Sequence, residues 1–370
     1  MKYQPKSIIS LKNYNYNIEN IKKLIGHDTK LMLIIKANAY GHGAVSMAKY
    51  ANKIGIFNFG VATLSEALEL RQYNVLGEIL ILGEVPKSQM KLAYDNDLTI
   101  TISRLDNLLE NAPFKGQLKA HIKIDTGISR HGFYVHDLLD IQSTVEIIQL
   151  IKNNTRLNIK GIYTHFAAAD EDTSYTMNQL ELFNTLIKAL KESHIDYGLA
   201  HAANSAATMR YKKSYLDMVR VGLLSYGIAS YEHQNFLPKP VMTLKGYIIH
   251  LKNLNQGDYI GYGNTFEVKS PMQIAVVNLG YADGIYRRLS NNAYVLVQGK
   301  KVPIVGRISM DVLMIDVSNI KLEVFDEVII FGQSLDAYQS VSDFIFNIET
   351  IEYELLCHIG QRIERIYIED

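Results

Sequence analysis

A single cysteine, Cys357, stands in a chain of 370 residues. An internal disulfide and a cysteine-built zinc site are therefore excluded, and the thiol reads as an inert, partly buried side chain. Long apolar runs are missing as well. No stretch reaches the roughly 18 apolar residues that a membrane-crossing helix needs, and the opening MKYQPKSIISLKNY has no apolar signal-peptide core. A cytoplasmic protein is the expectation. Charge of one sign is not in excess: 38 basic residues face 38 acidic ones, with no long block of either. That balance argues against a nucleic-acid or anionic-membrane surface. Internal repeats, low-complexity tracts and long flexible linkers are absent too. What remains is a globular composition, 48% hydrophobic and 21% charged, whose expected partners are small molecules or further copies of the same chain.

The length exceeds what one ordinary core organises, so two domains are expected. Short β-rich runs recur through the first two thirds: LMLIIK (31–36), FNFGVA (57–62), EILILG (78–83), DLTITI (97–102), LKAHIKI (118–124), IKGIYTHF (159–166), YGLAHAA (197–203) and DMVRVG (217–222). Amphipathic segments such as Ser65–Gln72 and Met177–Lys191 lie between them. Strands alternating with helices in this number favour a closed (β/α)8 barrel over an open doubly wound sheet. After about Tyr231 prolines appear, and strands broken by glycine turns follow, as in GDYIGYG, AYVLVQGKKVPIVGR and DEVIIFG. The expected organisation is a barrel over residues 1–232 and a mostly antiparallel β domain over 233–370.

The C-terminal ends of barrel strands face a common mouth, where barrel active sites sit. Here those ends carry Lys36, Lys123 with Arg130, His165, His201 with Asn204 and Ser205, and Arg220 with Gly222. Each has a plain reading: Lys36 alone could be a snorkelling lysine, and HAANSAA alone could be a capped strand-to-helix turn. Together they suggest more. A partly desolvated lysine tends towards a neutral, nucleophilic amine, and turns after the last two strands commonly bind phosphate. An amine nucleophile and a phosphate site in one mouth suggest pyridoxal 5'-phosphate. Arg220 can reach that cofactor's pyridine nitrogen and, remaining protonated, can only donate to it.

KANAYGHG (36–43), KIDTGISRHGF (123–133), THFAAAD (164–170), ANSAA (203–207), RVGLLSYG (220–227), GYGNTF (261–266), GYADGIYRR (280–288) and GRISMD (306–311) resemble, in order, the motifs of the alanine racemases, fold-type III pyridoxal-phosphate enzymes. The resemblance runs from about Ile34 to Tyr353, and it implies roles. Lys36 would hold the cofactor, with Tyr40, Ser205, Gly222, Leu223 and Tyr353 around its phosphate. Arg130, oriented by Lys123, a lysine that is carbamylated in many members of that family, would sit near the cofactor oxygen and the substrate carboxylate. His165 and Arg220, supported by Asn204, would back the ring. Tyr262 would be the second base, reaching the partner subunit's site in a homodimer, while Tyr281, Met310 and Asp311 would line the substrate entrance. Racemisation moves a proton between opposite faces, which calls for a base on each: Lys36 on the D face and Tyr262 on the L face. D-alanine for peptidoglycan would be the product used.

Ser129, Ser309 and Glu352 depart from the residues usual in that family, and RIER (362–365) replaces an RVPR-like ending. They bear on rate or substrate range more than on reaction type. Three other readings stand beside this one. Serine or a broader set of amino acids could be the substrate. Lys123, His165 and His201 could belong to a barrel metal hydrolase, although Lys36 occupies the place of the usual first-strand histidine pair and no metal is expected. A non-catalytic pyridoxal-phosphate carrier would resemble only the barrel.

Overall fold

The computed structural model describes residues 2–107, 113–154, 156–229 and 236–369. The expected boundary between residues 232 and 233 lies outside the described residues. By their internal contacts the residues form two compact units, one of Asn15–Ala39 with Ala44–Pro238 and one of Met1–Tyr14, Tyr40–Gly43 and Lys239–Asp370.

The first unit is built on parallel strands. Met218–Val221, Lys30–Ile34, Asn58–Val61 and Glu78–Ile81 pair in that order, as do Ile100–Ile102, Leu118–Asp125, Leu157–Tyr163 and Leu199–His201. Two seams join these sheets. Leu80 bridges Thr99 in parallel, and the N–H groups of Asp217 and Arg220 donate to Ala200 O and Ala203 O at 3.0 and 2.9 Å. The eight strands thereby close into a ring, which is the barrel the alternating pattern predicted.

Several of its helices start where a side chain caps them. Thr63 and Glu66 form a capping box on Leu64–Gln72, and Asp137 and Asp172 accept first-turn N–H bonds at Leu138–Lys152 and Thr173–Glu192. Strand positions such as Phe59, Ile79, Ile100, Ile122 and Ile162 are fully buried and form the packed wall.

The second unit is mostly antiparallel, as expected. Its long strand Met242–Leu254 pairs antiparallel with Lys6–Ser10, Glu327–Ser334 and Met272–Val277. Lys6–Ser10, which the hydrophobic pattern did not single out, also runs parallel to Glu364–Ile368. A satellite core of Leu254, Ile260, Val268, Ile274, Val305 and Met314 lies under the loop that carries Tyr262. Cys357 is exposed rather than partly buried, because it falls on the outer face of the short helix Glu352–His358, whose Leu355 and Leu356 point inward. Among the described residues no helix is long and apolar enough to cross a membrane.

Candidate active site

The strand Lys30–Ile34 ends in a left-handed turn. Ala37, Asn38, Ala39 and Tyr40 all have φ between 50° and 54°, a conformation costing about 1–2 kcal/mol per L-residue. Specific bonds hold it. The Asn38 side chain accepts the Ala44 N–H at 2.8 Å, Ala37 N–H donates to Glu66 Oε1 at 2.7 Å, and Ala39 N–H donates to Ile35 O at 2.9 Å. Further along, Arg365 Nε donates to Gly41 O at 3.0 Å, and the Tyr367 hydroxyl donates to His42 O at 3.0 Å. Gly41 has φ +79°, and a Cβ there would come within 2.1 Å of Leu356 O, so only glycine fits. Lys36, partly buried, stands at the head of this turn. The strained residues follow the lysine directly, and strain of this kind clusters at functional sites.

Behind it lies a buried cationic cluster. Arg220, 3% exposed, donates through Nη2 to Thr164 O and Ala202 O at 2.8 and 3.0 Å. Its Nη1 meets His201 Nδ1 at 2.9 Å, and Nη2 meets His165 Nδ1 at 3.2 Å. A guanidinium can only donate, so both Nδ1 atoms are acceptors and both rings carry their proton on Nε2. His201 Nε2–H then donates to His121 Nδ1 at 2.8 Å, which makes the order of donors unambiguous. Burial first, and the Arg220 charge second, hold His165 and His201 well below the usual histidine range and push His121 down to about 3. The charges of Lys123, Arg130 and Lys36 act on His165 in the same direction.

Lys123 is 1% exposed. Its amine donates to Ile124 O at 2.8 Å and stands 5.2 Å from the centre of the Tyr163 ring. Burial, reinforced by the Arg220 charge, lowers it to about 7. Next along the strand, burial disfavours the Asp125 charge, but main-chain N–H donors outweigh it and hold the carboxyl below its ordinary value. Those donors are Gly127, Ile128 and Ser129 to Oδ1 and Arg130 to Oδ2, at 2.8–3.1 Å. Asp125 therefore shapes the loop that presents the exposed Arg130.

The turns after the last two strands form a small nest. Ser205 Oγ accepts the N–H groups of Gly222 and Leu224 at 3.0 and 3.4 Å, where the 3₁₀ turn Leu223–Tyr226 begins. Asn204 spends its side-chain oxygen on the Ala207 N–H as the cap of Ser205–Arg210. The side-chain partners of Arg220 are His165 and His201, the latter followed by His121.

The remaining predicted residues belong to the second unit. Tyr40 and Tyr353 meet with ring centres 5.9 Å apart. Tyr281 N–H donates to Ser309 O and Ala282 N–H to Met310 O, both at 3.0 Å, so the loops that carry Tyr281 and Met310 lie side by side. Arg362 joins them, donating to Asp283 Oδ1 at 3.0 Å and to Asp311 Oδ1 at 2.8 Å. Tyr262 is 71% exposed and lines, with Ile260, Ser309 and Met314, a depression of 370 Å³. Its neighbour Gly263 has φ +72°, a left-handed conformation that favours glycine.

Comparison with known proteins decides the family. The alanine racemase N-terminal domain matches residues 9–230, and the C-terminal domain matches residues 241–367. This chain belongs to the alanine racemase family. It is 41% identical to the alanine racemase of Desulforamulus reducens over 97% of this chain and 98% of that one. Alanine racemase 2 of Caldanaerobacter subterraneus is 40% identical over 97% and 94%. Among solved structures, the alanine racemase of Clostridium difficile 630 superposes with a TM-score of 0.91 at 33% identity, covering 100% of this chain and 97% of that one. The enzyme from E. faecalis gives 0.92 at 33% identity, covering 99% and 98%. An alanine racemase from Bacillus anthracis, TM-score 0.91 and 33% identical over 100% and 96% of the two chains, was solved with bound L-Ala-P. The activity is that of an amino-acid racemase, an isomerase interconverting the two forms of alanine.

Alanine racemases as a family use pyridoxal phosphate, and the donor set here suits that group. The mouth gathers Lys36, Lys123, Arg130 and Arg220, a surplus of positive charge appropriate to a phosphorylated cofactor and a carboxylate substrate. A hydroxyl and main-chain N–H groups at a turn suit the phosphate. Among the described residues no group of three or more His, Cys, Asp or Glu side chains could hold a metal ion.

Proposed function

We propose that this racemase holds pyridoxal 5'-phosphate on Lys36 and works with two bases, Lys36 serving the D face and Tyr262 of a partner subunit the L face. Once bound, the cofactor supplies an electron sink that makes the α-proton of alanine removable. The observation that carries the reading is the Arg220 cluster. A guanidinium fixed by Thr164, Ala202, His201 and His165 can donate to a ring nitrogen and can accept no proton from it. Such a partner restrains the sink, which favours returning the proton over side reactions.

The chain's other groups divide the remaining work. Ser205, Gly222 and Leu223, with Tyr40 and Tyr353, would hold the phosphate, and Asn204 supports this group by capping the helix that Ser205 begins. Arg130, on the loop organised by Asp125, would take the substrate carboxylate together with Met310, while Tyr281 and Asp311 would line the entrance. Lys123, with an amine near 7, is available in neutral form to react with carbon dioxide, which supports carbamylation. Isotopically labelled bicarbonate then gives a carbamate NMR signal that disappears in Lys123→Met.

Homodimerisation follows from the same reading. Tyr262, Tyr281 and Met310 are 71%, 44% and 52% exposed, as side chains delivered to another subunit are in an isolated chain. Alanine is the substrate, as the Bacillus anthracis relative's bound L-Ala-P suits, and D-alanine for peptidoglycan the use. A cytoplasmic location goes with that role, since free alanine and the cofactor are cytoplasmic metabolites.

The test is α-proton exchange with deuterated solvent from L- and D-alanine for the wild type and Tyr262→Phe. The variant loses chiefly exchange from the L antipode. Equal loss from both antipodes, or none, removes Tyr262 as the L-face base. Mixing Tyr262→Phe with Lys36→Ala tests sharing: hybrid dimers regain activity when each site draws its two bases from different chains, and stay inactive when it does not.

A further inference from the structure

Glu66 is the third residue of the helix Leu64–Gln72 and half of its capping box. Its Oε2 accepts the N–H groups of Ala62 and Thr63 at 2.7 and 3.0 Å, which completes what such a box requires. The other oxygen does something a cap does not need. Oε1 accepts the Ala37 N–H at 2.7 Å, a bond across 29 positions of sequence to the end of a neighbouring barrel strand.

That N–H belongs to the peptide joining Lys36 to Ala37, the first residue of the left-handed run. With its N–H fixed, the peptide plane cannot rotate about Lys36 Cα, and the direction in which the lysine side chain leaves the backbone is fixed with it. Asn38 grips the far side of the same turn through the Ala44 N–H. The strained segment is thus held from within by its own Asn38 side chain and from a neighbouring element by Glu66, which bonds at the residue that follows the lysine. A carboxylate bonding three N–H groups is also a stronger restraint than a neutral side chain supplies.

We infer that Glu66 is a positioning residue for Lys36: its carboxylate clamps the Lys36–Ala37 peptide so that the lysine amine stays directed at the cofactor aldehyde and the substrate α-carbon. The inference rests on the assignment of Lys36 proposed above.

The test compares holoenzymes of wild type, Glu66→Gln and Thr63→Ala. Thr63→Ala breaks the other half of the capping box and leaves the bond to Ala37 in place, so it reports the cost of the cap alone. Three quantities are read: thermal midpoint, the rate at which cofactor is lost after dilution, and the fraction of cofactor fixed to Lys36 by borohydride and located by peptide mapping. Both variants melt earlier, but only Glu66→Gln releases cofactor faster, by about tenfold, and lowers kcat with KM nearly unchanged. Equal release rates in the two variants overturn the inference. Should Glu66→Gln not fold, amide exchange in the wild-type holoenzyme decides it: the Ala37 N–H is protected if the clamp exists, and exchange as fast as an exposed amide overturns it. Mapping that finds wild-type cofactor on a residue other than Lys36 is a different failure, that of the Lys36 assignment itself.

Discussion

The two prospective bases live in opposite surroundings. Lys36 is partly buried at the head of a strained turn and backed by Arg220 and its histidines, whereas Tyr262 is 71% exposed on a glycine-flanked loop. In the barrel unit the buried guanidinium is satisfied from within: Arg220 donates to two carbonyls and two histidines. In the second unit Tyr262, Tyr281 and Met310 face outward. Half of the chemistry is therefore bound up with stability, and the other half is nearly independent of it.

Substitutions can separate the halves. Arg220→Ala has the largest expected effect, because it strands several buried acceptors at once. Stability falls by about 3–5 kcal/mol, read by urea denaturation, and turnover falls with it. Tyr262→Phe comes next and is the sharpest contrast: racemisation drops by about 10²–10⁴ while the thermal midpoint stays where it was. A large fall in stability for Tyr262→Phe would erase the distinction between the halves.

Lys123 tests the buried half by titration. Its folded value, about 7, lies below the 10.5 of a free lysine. Between those values the unfolded chain carries a proton that the folded chain lacks, so stability rises with pH across that window. In buffers stripped of carbon dioxide and bicarbonate, where Lys123 keeps its free amine, urea midpoints measured from pH 7 to pH 10 therefore climb in the wild type, and the Lys123→Met slope is flatter. The smallest effect belongs to Ser129, a non-glycine residue at φ 55° in the loop that carries Arg130. Ser129→Gly relieves that strain and raises stability by about 1 kcal/mol, and alanine KM measured alongside reports whether the loop also shifts Arg130.

Much of this was legible in the sequence. Eight apolar runs spaced by helical segments gave the barrel, and the residues at their ends gave Lys36, Lys123, His165, Ser205 and Arg220. Tyr262, Met310 and Tyr353 came from motif resemblance alone, since nothing in periodicity marks an exposed loop tyrosine. His121 and Asp125 were missed, although a signal was present. In LKAHIKID the even positions are Leu118, Ala120, Ile122 and Ile124, while the odd ones are Lys119, His121, Lys123 and Asp125. A strand with one wholly polar face, in a barrel whose interior is ordinarily filled by branched apolar side chains, announces polar groups inside. Glu66 could not be found this way. Its capping box was readable from Thr63 onward, but the bond to Ala37 depends on how two strand ends come together.

Histidine is ordinarily the side chain that answers to pH near neutrality. In this barrel His121, His165 and His201 each turn a lone pair towards a donor, in a series that starts at Arg220. Adding a proton to any of them would break a hydrogen bond and bury a second charge beside the guanidinium. The three rings therefore act as insulation rather than as sensors, adding no charge of their own beside Arg220 while acidity outside varies. The pH response of the barrel interior near neutrality then falls to the Lys123 amine, and imidazole-modifying reagents should find nothing in the barrel interior to titrate.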